Sequence, residues 1–466
     1  MVFSSLTFLF MFLPAVLLTY YIVPKCCKNV VLFAFSLLFY AWGEPVYVGL
    51  MIFSTILDYT CGRIVEKYRH KTQSQIALTV SVCINLGLLC LFKYSGFLVE
   101  QFNNIFRTSI DVPELALPIG ISFYTFQTMS YTIDVYRGEV KAQKNILDFG
   151  TYVTLFPQLI AGPIVRYQTV AEQIDNRTLS FDRFGSGVKR FICGLGKKVL
   201  LANNIGLLWS SVSSTPLSQL STVSAWLGIV AFGLQLYFDF SGYSDMAIGL
   251  GRMLGFDFVE NFDYPYISQS ITEFWRRWHM SLGTWFRDYV YIPLGGNRKG
   301  FAIQMRNIAV VWFLTGLWHG ASLNFILWGV YYGILLVIEK LFLTKLLKKL
   351  PSVFRHIYAI ICVLIGWVLF SFENMSDGLS YLKVMLGQNT FCTGDAIYQL
   401  LSYLPLIVIC LIGATPLSAD LWKKISHRLK AGLQGVTEIV WICSVFFLCT
   451  AYLISGSYNP FLYFRF

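Results

Sequence analysis

Apolar residues form long, nearly unbroken runs that recur along the whole chain. The clearest runs cover residues 6–23, 76–92, 223–238, 357–370 and 439–454. Several approach the roughly 20 residues that a helix needs to cross a bilayer. Shorter, interrupted runs predict broken or re-entrant helices that are buried in protein. A water-soluble helical protein is disfavoured, because no polar faces are present to cover so many apolar ones. The pattern therefore predicts an all-α polytopic membrane protein.

The composition agrees with this interpretation. Of the 466 residues, 56% are hydrophobic and only 13% are charged, whereas soluble domains carry about 25% charged residues. No soluble domain and no repeat of about 20–50 residues is visible, so we expect a single integral membrane domain over 1–466. No small-residue cleavage site separates the first apolar run from Pro24, and we expect that run to be retained as a helix.

The net charge of +11 does not indicate nucleic-acid binding, because the basic residues lie in short segments between apolar runs. These segments are 63–71, 189–198, 340–355 and 423–430, whereas 95–115, 211–222 and 371–396 are acidic or uncharged. Such alternation is typical of the excess of positive charge in cytoplasmic loops. It predicts that the basic segments are cytoplasmic and that both termini are extracytoplasmic.

The sequence contains no Walker motif and no zinc motif. The eleven cysteines lie mostly in apolar runs and lack metal-ligand spacing, so we expect no metal site. There is no Gly-x-Ser-x-Gly elbow for a serine nucleophile. Residues 249–255 resemble a dinucleotide loop only superficially, since the spacing is wrong and no βαβ unit surrounds them.

Regular apolar helices give way in the middle third, at 136–305, to glycine, proline, aromatic and charged residues. Just before it, residues 117–127 form an apolar run broken by proline and glycine. Residues 155–166 carry two prolines among apolar residues, which predicts a buried bend instead of a spanning helix. Asp239 and Asp245 follow an apolar run; they could form an acid–base pair, but capping a helix or a bend is the commoner role.

The segment 273–296 combines charge and aromatic rings. It holds Glu273, Arg276, Arg277, His279, Arg287 and Asp288 among Trp275, Trp278, Trp285 and Phe286. Such a helix does not face lipid, because each central charge costs about 2.5–3.5 kcal/mol. At helical spacing Trp275, His279, Leu282 and Phe286 share one face. The segment is either an interfacial amphipathic helix with a structural histidine or part of a working site.

A single histidine interrupts the apolar helix that begins near Asn307. The helix ends at Trp318-His319-Gly320, and a second apolar helix resumes near Asn324. Thr315 and Gly316 share the histidine's face and leave room beside it. A hydrogen-bonded core histidine is one interpretation. The other is a general base that accepts a hydroxyl proton as an acyl thioester is attacked, which contributes about 10²–10⁴ in rate.

Together, residues 117–127, 156–166, 237–245, 274–296 and 312–329 resemble the membrane-bound O-acyltransferase (MBOAT) family. The closest resemblance is to the bacterial branch of alginate and peptidoglycan O-acetyltransferases, which is related to the teichoic acid D-alanyl transferase. The resemblance implies a ring of tilted and re-entrant helices around a membrane-spanning tunnel. The catalytic core would cover 115–330.

The resemblance also assigns residues. His319 matches the family's invariant histidine and His279 its second histidine. We expect the tunnel or supporting residues to be Trp275, Arg276, Trp278, Asp288, Asn307, Thr315, Trp318 and Asn324.

The resemblance further implies substrates and partners. The expected donor is a cytoplasmic thioester, acetyl-coenzyme A or an acylated carrier protein, with no bound cofactor. The expected partner is an SGNH-esterase-type acetyltransferase outside a bacterial inner membrane, and the acceptor is a polysaccharide such as alginate or peptidoglycan. Membrane lipids surround the protein, and no nucleic acid is involved.

The C-terminal residues 457–466 form an aromatic tail that ends Phe-Leu-Tyr-Phe-Arg-Phe. Such a tail can anchor the last helix at the membrane interface. It also resembles the tail of this branch and of the small companion protein of the D-alanyl system. That resemblance implies an extracytoplasmic Tyr463 that carries the acyl group.

Two other functions fit a polytopic membrane protein. A transporter or flippase for lipid-linked sugar would explain the helices but not the two histidines, and no inverted repeat is visible. A non-catalytic scaffold of a polysaccharide synthase is the second alternative.

Overall fold

The computed structural model describes residues 1–113, 115–160 and 162–456. Within them the chain is helical and contains no strand. Ten of the helices in these ranges are long and apolar enough to cross a membrane, which confirms the prediction of an all-α polytopic membrane protein. The aromatic tail, including Tyr463, lies outside the described residues.

The helices divide between two compact units. Unit 1 comprises Met1–Phe191 and Tyr243–Val259, and unit 2 comprises Ile192–Gly242 and Glu260–Phe466. The first eight helices are α1 (Leu13–Ile22), α2 (Lys28–Gly43), α3 (Val48–Lys67), α4 (Thr72–Phe106), α5 (Ile121–Arg137), α6 (Ile146–Thr154), α7 (Tyr167–Asp175) and α8 (Phe181–Gly196).

The remaining helices belong to unit 2, apart from the end of α10. They are α9 (Asn203–Ser213), α10 (Thr222–Met253), α11 (Ile271–Arg277), α12 (Met280–Phe286), α13 (Phe301–His319), α14 (Leu323–Ile338), α15 (Thr344–Leu347), α16 (Ser352–Ser371), α17 (Met375–Met385), α18 (Gly394–Gly413), α19 (Leu417–Ser426) and α20 (Ala431–Ser455). Short π-helical turns occupy Phe8–Phe12, Lys197–Ala202, Arg287–Tyr291 and Glu339–Leu343.

In unit 1, the proline-rich segment after α6 is a buried bend, as predicted. Residues 155–160 and 162–165 are buried and are not helical. The bend packs against the start of α5, where Gly120 has φ of +76°. A Cβ atom on Gly120 would lie 2.7 Å from the Leu159 carbonyl oxygen. Glycine is therefore needed here both for the left-handed backbone and for the close approach.

Asp239 and Asp245 do not cap a helix or a bend, and that prediction is wrong. Both lie inside the continuous helix α10. In unit 2, Asp239 pairs with Lys198 at 2.6 Å; in unit 1, Asp245 pairs with Arg190 at 2.6 Å. Each carboxylate thus has a basic partner on another stretch of chain, which neutralises its charge inside an apolar helix. Local sequence could not reveal these partners.

Segment 273–296 is not one helix, so the predicted shared face does not exist. Helix α11 ends at Arg277 and α12 begins at Met280. Between them His279 adopts the left-handed conformation, with φ of 45°. That conformation costs a residue with a Cβ atom roughly 1–2 kcal/mol. It persists because tertiary hydrogen bonds, such as that from the Met280 amide to the Asn261 carbonyl at 3.0 Å, hold the turn.

Candidate active site

The turn that follows α13 places His319. This residue ends α13, and its side chain is 9% exposed. A Cβ atom on the next residue, Gly320, would overlap the Phe325 ring. Farther along, a Cβ on Gly329 of α14 would lie 3.1 Å from the Gly316 Cα atom. These glycines let α13 and α14 pack backbone to backbone, as small residues do between membrane helices, with the imidazole held at the turn.

Aromatic rings surround the His319 imidazole. The rings of Trp318 and Trp328 each lie 5.0 Å from it, centroid to centroid, and Phe370 of α16 lies 5.3 Å away, all edge-on. Phe325 stacks at 6.4 Å. These rings form a mostly apolar enclosure around the imidazole, which limits the access of water.

His279 is held by an asparagine that comes 18 residues before it in the chain. Oδ1 of Asn261 lies 3.1 Å from His279 Nδ1, and it also accepts hydrogen bonds from the amide and hydroxyl of Ser281. Because a backbone amide can only donate, the asparagine atom in this position must be the oxygen. His279 Nδ1 therefore carries the proton and donates it, which leaves Nε2 with the lone pair.

Burial keeps His279 neutral. The side chain is 3% exposed, and burial lowers the pKa of its imidazole to about 3. The Phe240 ring packs edge-on against it at 4.7 Å, and the Trp318 ring lies 5.9 Å away. Trp318 therefore contacts both histidines, and the structure brings the two predicted histidines to one site in unit 2.

Replacing Asn261 by leucine is expected to lower kcat about tenfold or more, because one buried hydrogen bond of about 1–3 kcal/mol fixes the tautomer and orientation of His279. Asn261→Asp keeps the acceptor oxygen and should recover part of the loss. Acyl-transfer kinetics with separate kcat and KM values test this expectation. An equal loss in both variants, with normal folding, would show that Asn261 does not act through the imidazole.

Two predicted tryptophans pack near this site on different sides. Trp275 of α11 contacts Trp312, Trp328 and Tyr332, with ring centroids 4.8, 5.4 and 4.8 Å away. Trp278 packs against Phe274, Phe262 and Trp367 in the aromatic core of unit 2. Trp275 thus extends the enclosure, whereas Trp278 anchors the turn before His279.

Asn324 supports the turn, whereas Thr315 bonds within its own helix. The Asn324 amide donates to the Phe370 carbonyl at 3.3 Å, and so ties the start of α14 to the residue that packs on His319. The Thr315 hydroxyl donates to the Val311 carbonyl in its own helix.

Three other predicted residues differ in their surroundings. Arg276 is exposed. Asp288 pairs with its neighbour Arg287 at 2.6 Å. Asn307 donates to the Gly296 carbonyl, and it precedes His319 by about 18 Å along α13 at 1.5 Å per residue. Asn307 therefore fixes the loop before α13 and does not contribute to the site.

A buried carboxylate that the sequence did not single out positions α11. Glu339, 1% exposed, accepts hydrogen bonds from the amides of Ile271 and Thr272 at 2.7 and 2.9 Å. A carboxylate at a helix N-terminus stabilises it through the unpaired amides and the helix dipole. Glu339 thereby holds the helix that carries Trp275.

Comparison with known proteins was made after this geometry was established. The sequence model of the membrane-bound O-acyltransferase family matches residues 53–381. A probable alginate O-acetylase of Azotobacter vinelandii is 40% identical over 100% of both chains. A peptidoglycan O-acetyltransferase of Helicobacter pylori is 32% identical over 84% of this chain and 80% of its own length. A teichoic acid D-alanyltransferase of Streptococcus thermophilus is 32% identical over 49% of this chain and 58% of its own.

Proposed function

Since this chain belongs to the membrane-bound O-acyltransferase family, we propose that it passes an acetyl group from a cytoplasmic thioester donor towards hydroxyl groups of a polysaccharide outside the membrane. The names of its relatives support alginate, peptidoglycan or a similar polymer as the acceptor. The observation that carries the proposal is the contact of Trp318 with both His279 and His319. It brings two imidazoles into one aromatic enclosure.

His319 acts as the general base of the proposed reaction. As the acceptor hydroxyl attacks the thioester carbonyl, its proton moves to the imidazole and the new C–O bond forms. The C–S bond then breaks, and the imidazolium returns the proton to the departing thiolate. The aromatic enclosure protects the thioester from hydrolysis. His279, with its Nε2 lone pair fixed by Asn261, accepts a hydrogen bond that orients the hydroxyl.

The developing oxyanion needs hydrogen-bond donors. The indole nitrogens of Trp275 and Trp328 are buried and form no hydrogen bond with any residue in the described ranges. Trp328 packs directly on His319. Indole N–H groups that are already free of partners can donate to an oxyanion without first breaking another bond. We assign Trp328 this role, with Trp275 as the second donor.

Thioester cleavage by the purified protein tests the proposed function. The protein in lipid nanodiscs is mixed with acetyl-coenzyme A or with acetylated carrier protein, and release of free thiol is measured with and without a hydroxyl acceptor. Acceptor-dependent release with either donor is expected. A transporter, a flippase or a scaffold would leave both thioesters intact, and that result would refute an acyltransferase that uses these donors.

We place both termini and the SGNH-esterase-type partner outside a bacterial inner membrane. The alternation of basic segments with acidic or uncharged ones supports this orientation. The basic segments 340–355 and 423–430 are then cytoplasmic.

Impermeant thiol labelling of intact cells tests this topology in a background without native cysteines. Lys348 and Asp377 are both exposed. Lys348 lies on a segment that is predicted to be cytoplasmic, and Asp377 lies on one that is predicted to be extracytoplasmic. We expect Asp377→Cys to be labelled from outside and Lys348→Cys only after the cells are permeabilised. Labelling of Lys348→Cys in intact cells would overturn the assigned orientation.

A further inference from the structure

A charged cavity lies in unit 1, away from the residues assigned to acyl transfer. Its volume is about 710 Å³, and its charged lining residues are Lys25, Lys28, Asp148, Asp175 and Arg177. Lys28 is the first residue of α2, and Arg177 follows α7. None of these residues has a role in the proposed reaction, so their arrangement needs a separate explanation.

Arg177 is fixed in place entirely by neutral groups. Its Nε donates to the Tyr20 hydroxyl at 2.6 Å, and its Nη1 donates to the Asn29 side-chain oxygen at 2.7 Å and the Ile174 carbonyl at 3.1 Å. Its Nη2 has no hydrogen-bond partner among the residues that the structure describes. The guanidinium is therefore oriented in advance and keeps one donor edge available.

Lys28 brings a second positive charge to the same place. Its Nζ donates to the Tyr20 carbonyl at 2.8 Å and lies 4.3 Å from the Tyr20 ring centroid. The Arg177 guanidinium lies 5.5 Å from that same centroid. Within the described ranges, neither cation pairs with a carboxylate. Two like charges against one ring repel each other, so an anion between them would be stabilised.

The same cavity also carries carboxylates without cationic partners. Asp148 accepts a hydrogen bond from the Asn29 amide at 2.7 Å, and Asp175 is exposed. Neither forms an ion pair with another described residue. The lining thus offers cations to a phosphate and carboxylates to an ammonium group, a combination that matches a zwitterionic ligand better than a simple anion.

The position of the cavity indicates a lipid. The apolar helix Phe8–Ile22 precedes it, and the candidate span Lys25–Gly43 begins within it, so the cavity lies where the chain turns at a membrane boundary. Leu18, Ile22 and Val30, near it in the chain, are 64%, 80% and 45% exposed. Exposed apolar side chains of this kind are available to contact the acyl chains of a bound lipid.

We propose that this cavity binds the headgroup of a membrane phospholipid, with its phosphate on Lys28 and Arg177. A phosphoethanolamine headgroup fits best, because its ammonium group would face Asp148 and Asp175. Basic pockets between membrane helices on the cytoplasmic side are known to bind phospholipid headgroups. The inference does not depend on the acyl-transfer chemistry.

Stabilisation of delipidated full-length protein tests the proposal. The thermal-unfolding midpoint is measured in detergent with added phosphatidylethanolamine, phosphatidylglycerol, inorganic phosphate or coenzyme A. We expect phosphatidylethanolamine to raise the midpoint most. Lys28→Gln should need about tenfold more lipid for the same rise, because it removes a charge-assisted hydrogen bond to the phosphate. Lys71→Gln, with the same charge change at an exposed site outside the cavity, should respond like the wild type.

Asp148→Asn tests whether the cavity recognises the ammonium group of the headgroup as well as its phosphate. This change keeps an oxygen for the Asn29 amide and removes one negative charge, so the preference should shift towards phosphatidylglycerol. Lys28 is chosen over Arg177 because loss of the three Arg177 hydrogen bonds to Tyr20, Asn29 and Ile174 could unfold the protein. Equal stabilisation by inorganic phosphate or coenzyme A would overturn the lipid assignment. Equal responses of Lys28→Gln and Lys71→Gln would overturn the site itself.

Discussion

Replacement of His319 by alanine is expected to lower acyl transfer at least 10²-fold, the loss typical of removing a general base. The protein should still fold and insert, because the neighbouring rings of Trp328 and Phe370 also contact each other, at 5.4 Å. Thiol release from the acetyl donor by the purified variant measures the effect. Circular dichroism and size-exclusion profiles check that the helices remain intact.

His427→Ala is the matched control for His319→Ala. His427 is exposed and follows α19, so its loss should leave turnover unchanged. If purified His319→Ala retains more than about a tenth of wild-type turnover, the general-base assignment is wrong, since the expected loss is about 10²-fold.

The parts of the fold that were predicted correctly have local causes. The apolar runs require spanning helices whatever surrounds them. The prolines of 155–166 remove amide donors, so a buried bend follows from the residues themselves. The turn at His319 also follows from the local sequence, because Gly320 and adjacent small residues lie between two apolar helices.

The errors arise where distant residues decide the structure. Nothing near His279 in the sequence indicates its left-handed backbone, because the hydrogen bonds that stabilise it are accepted by Asn261, which lies on another loop. Asp239 and Asp245 likewise form ion pairs with Lys198 and Arg190, which are distant from them in the sequence. Glu339 and Phe370 reach the site only after α14 and α16 have packed. Patterns along one sequence cannot reveal such partners, although the histidines themselves were visible as isolated polar residues among apolar ones.

Tyr463→Phe is expected to abolish most acetylation of the polymer in cells, and most donor cleavage with it, because it removes the hydroxyl that attacks the thioester. The reason is geometric: a cytoplasmic thioester and an extracytoplasmic polymer need a carrier between them, and a buried histidine does not move. The Tyr463 hydroxyl would take the acyl group from the thioester and give up its proton to His319. A polymer hydroxyl or the external partner would then attack the phenyl ester, and the phenolate leaves readily because its conjugate acid has a pKa near 10.

Tyr463→Phe is informative because it keeps the aromatic ring and removes only the oxygen. If the tail merely anchors the last helix at the interface, the ring is sufficient and acetylation stays normal. Tyr458→Phe makes the same chemical change within the same tail and should be silent. Polymer acetylation and protein level are measured together for both variants, and mass spectrometry of the wild-type C-terminal peptide should find an acetyl ester on Tyr463. Near-normal acetylation with Tyr463→Phe would eliminate the relay and leave direct transfer at the histidine site.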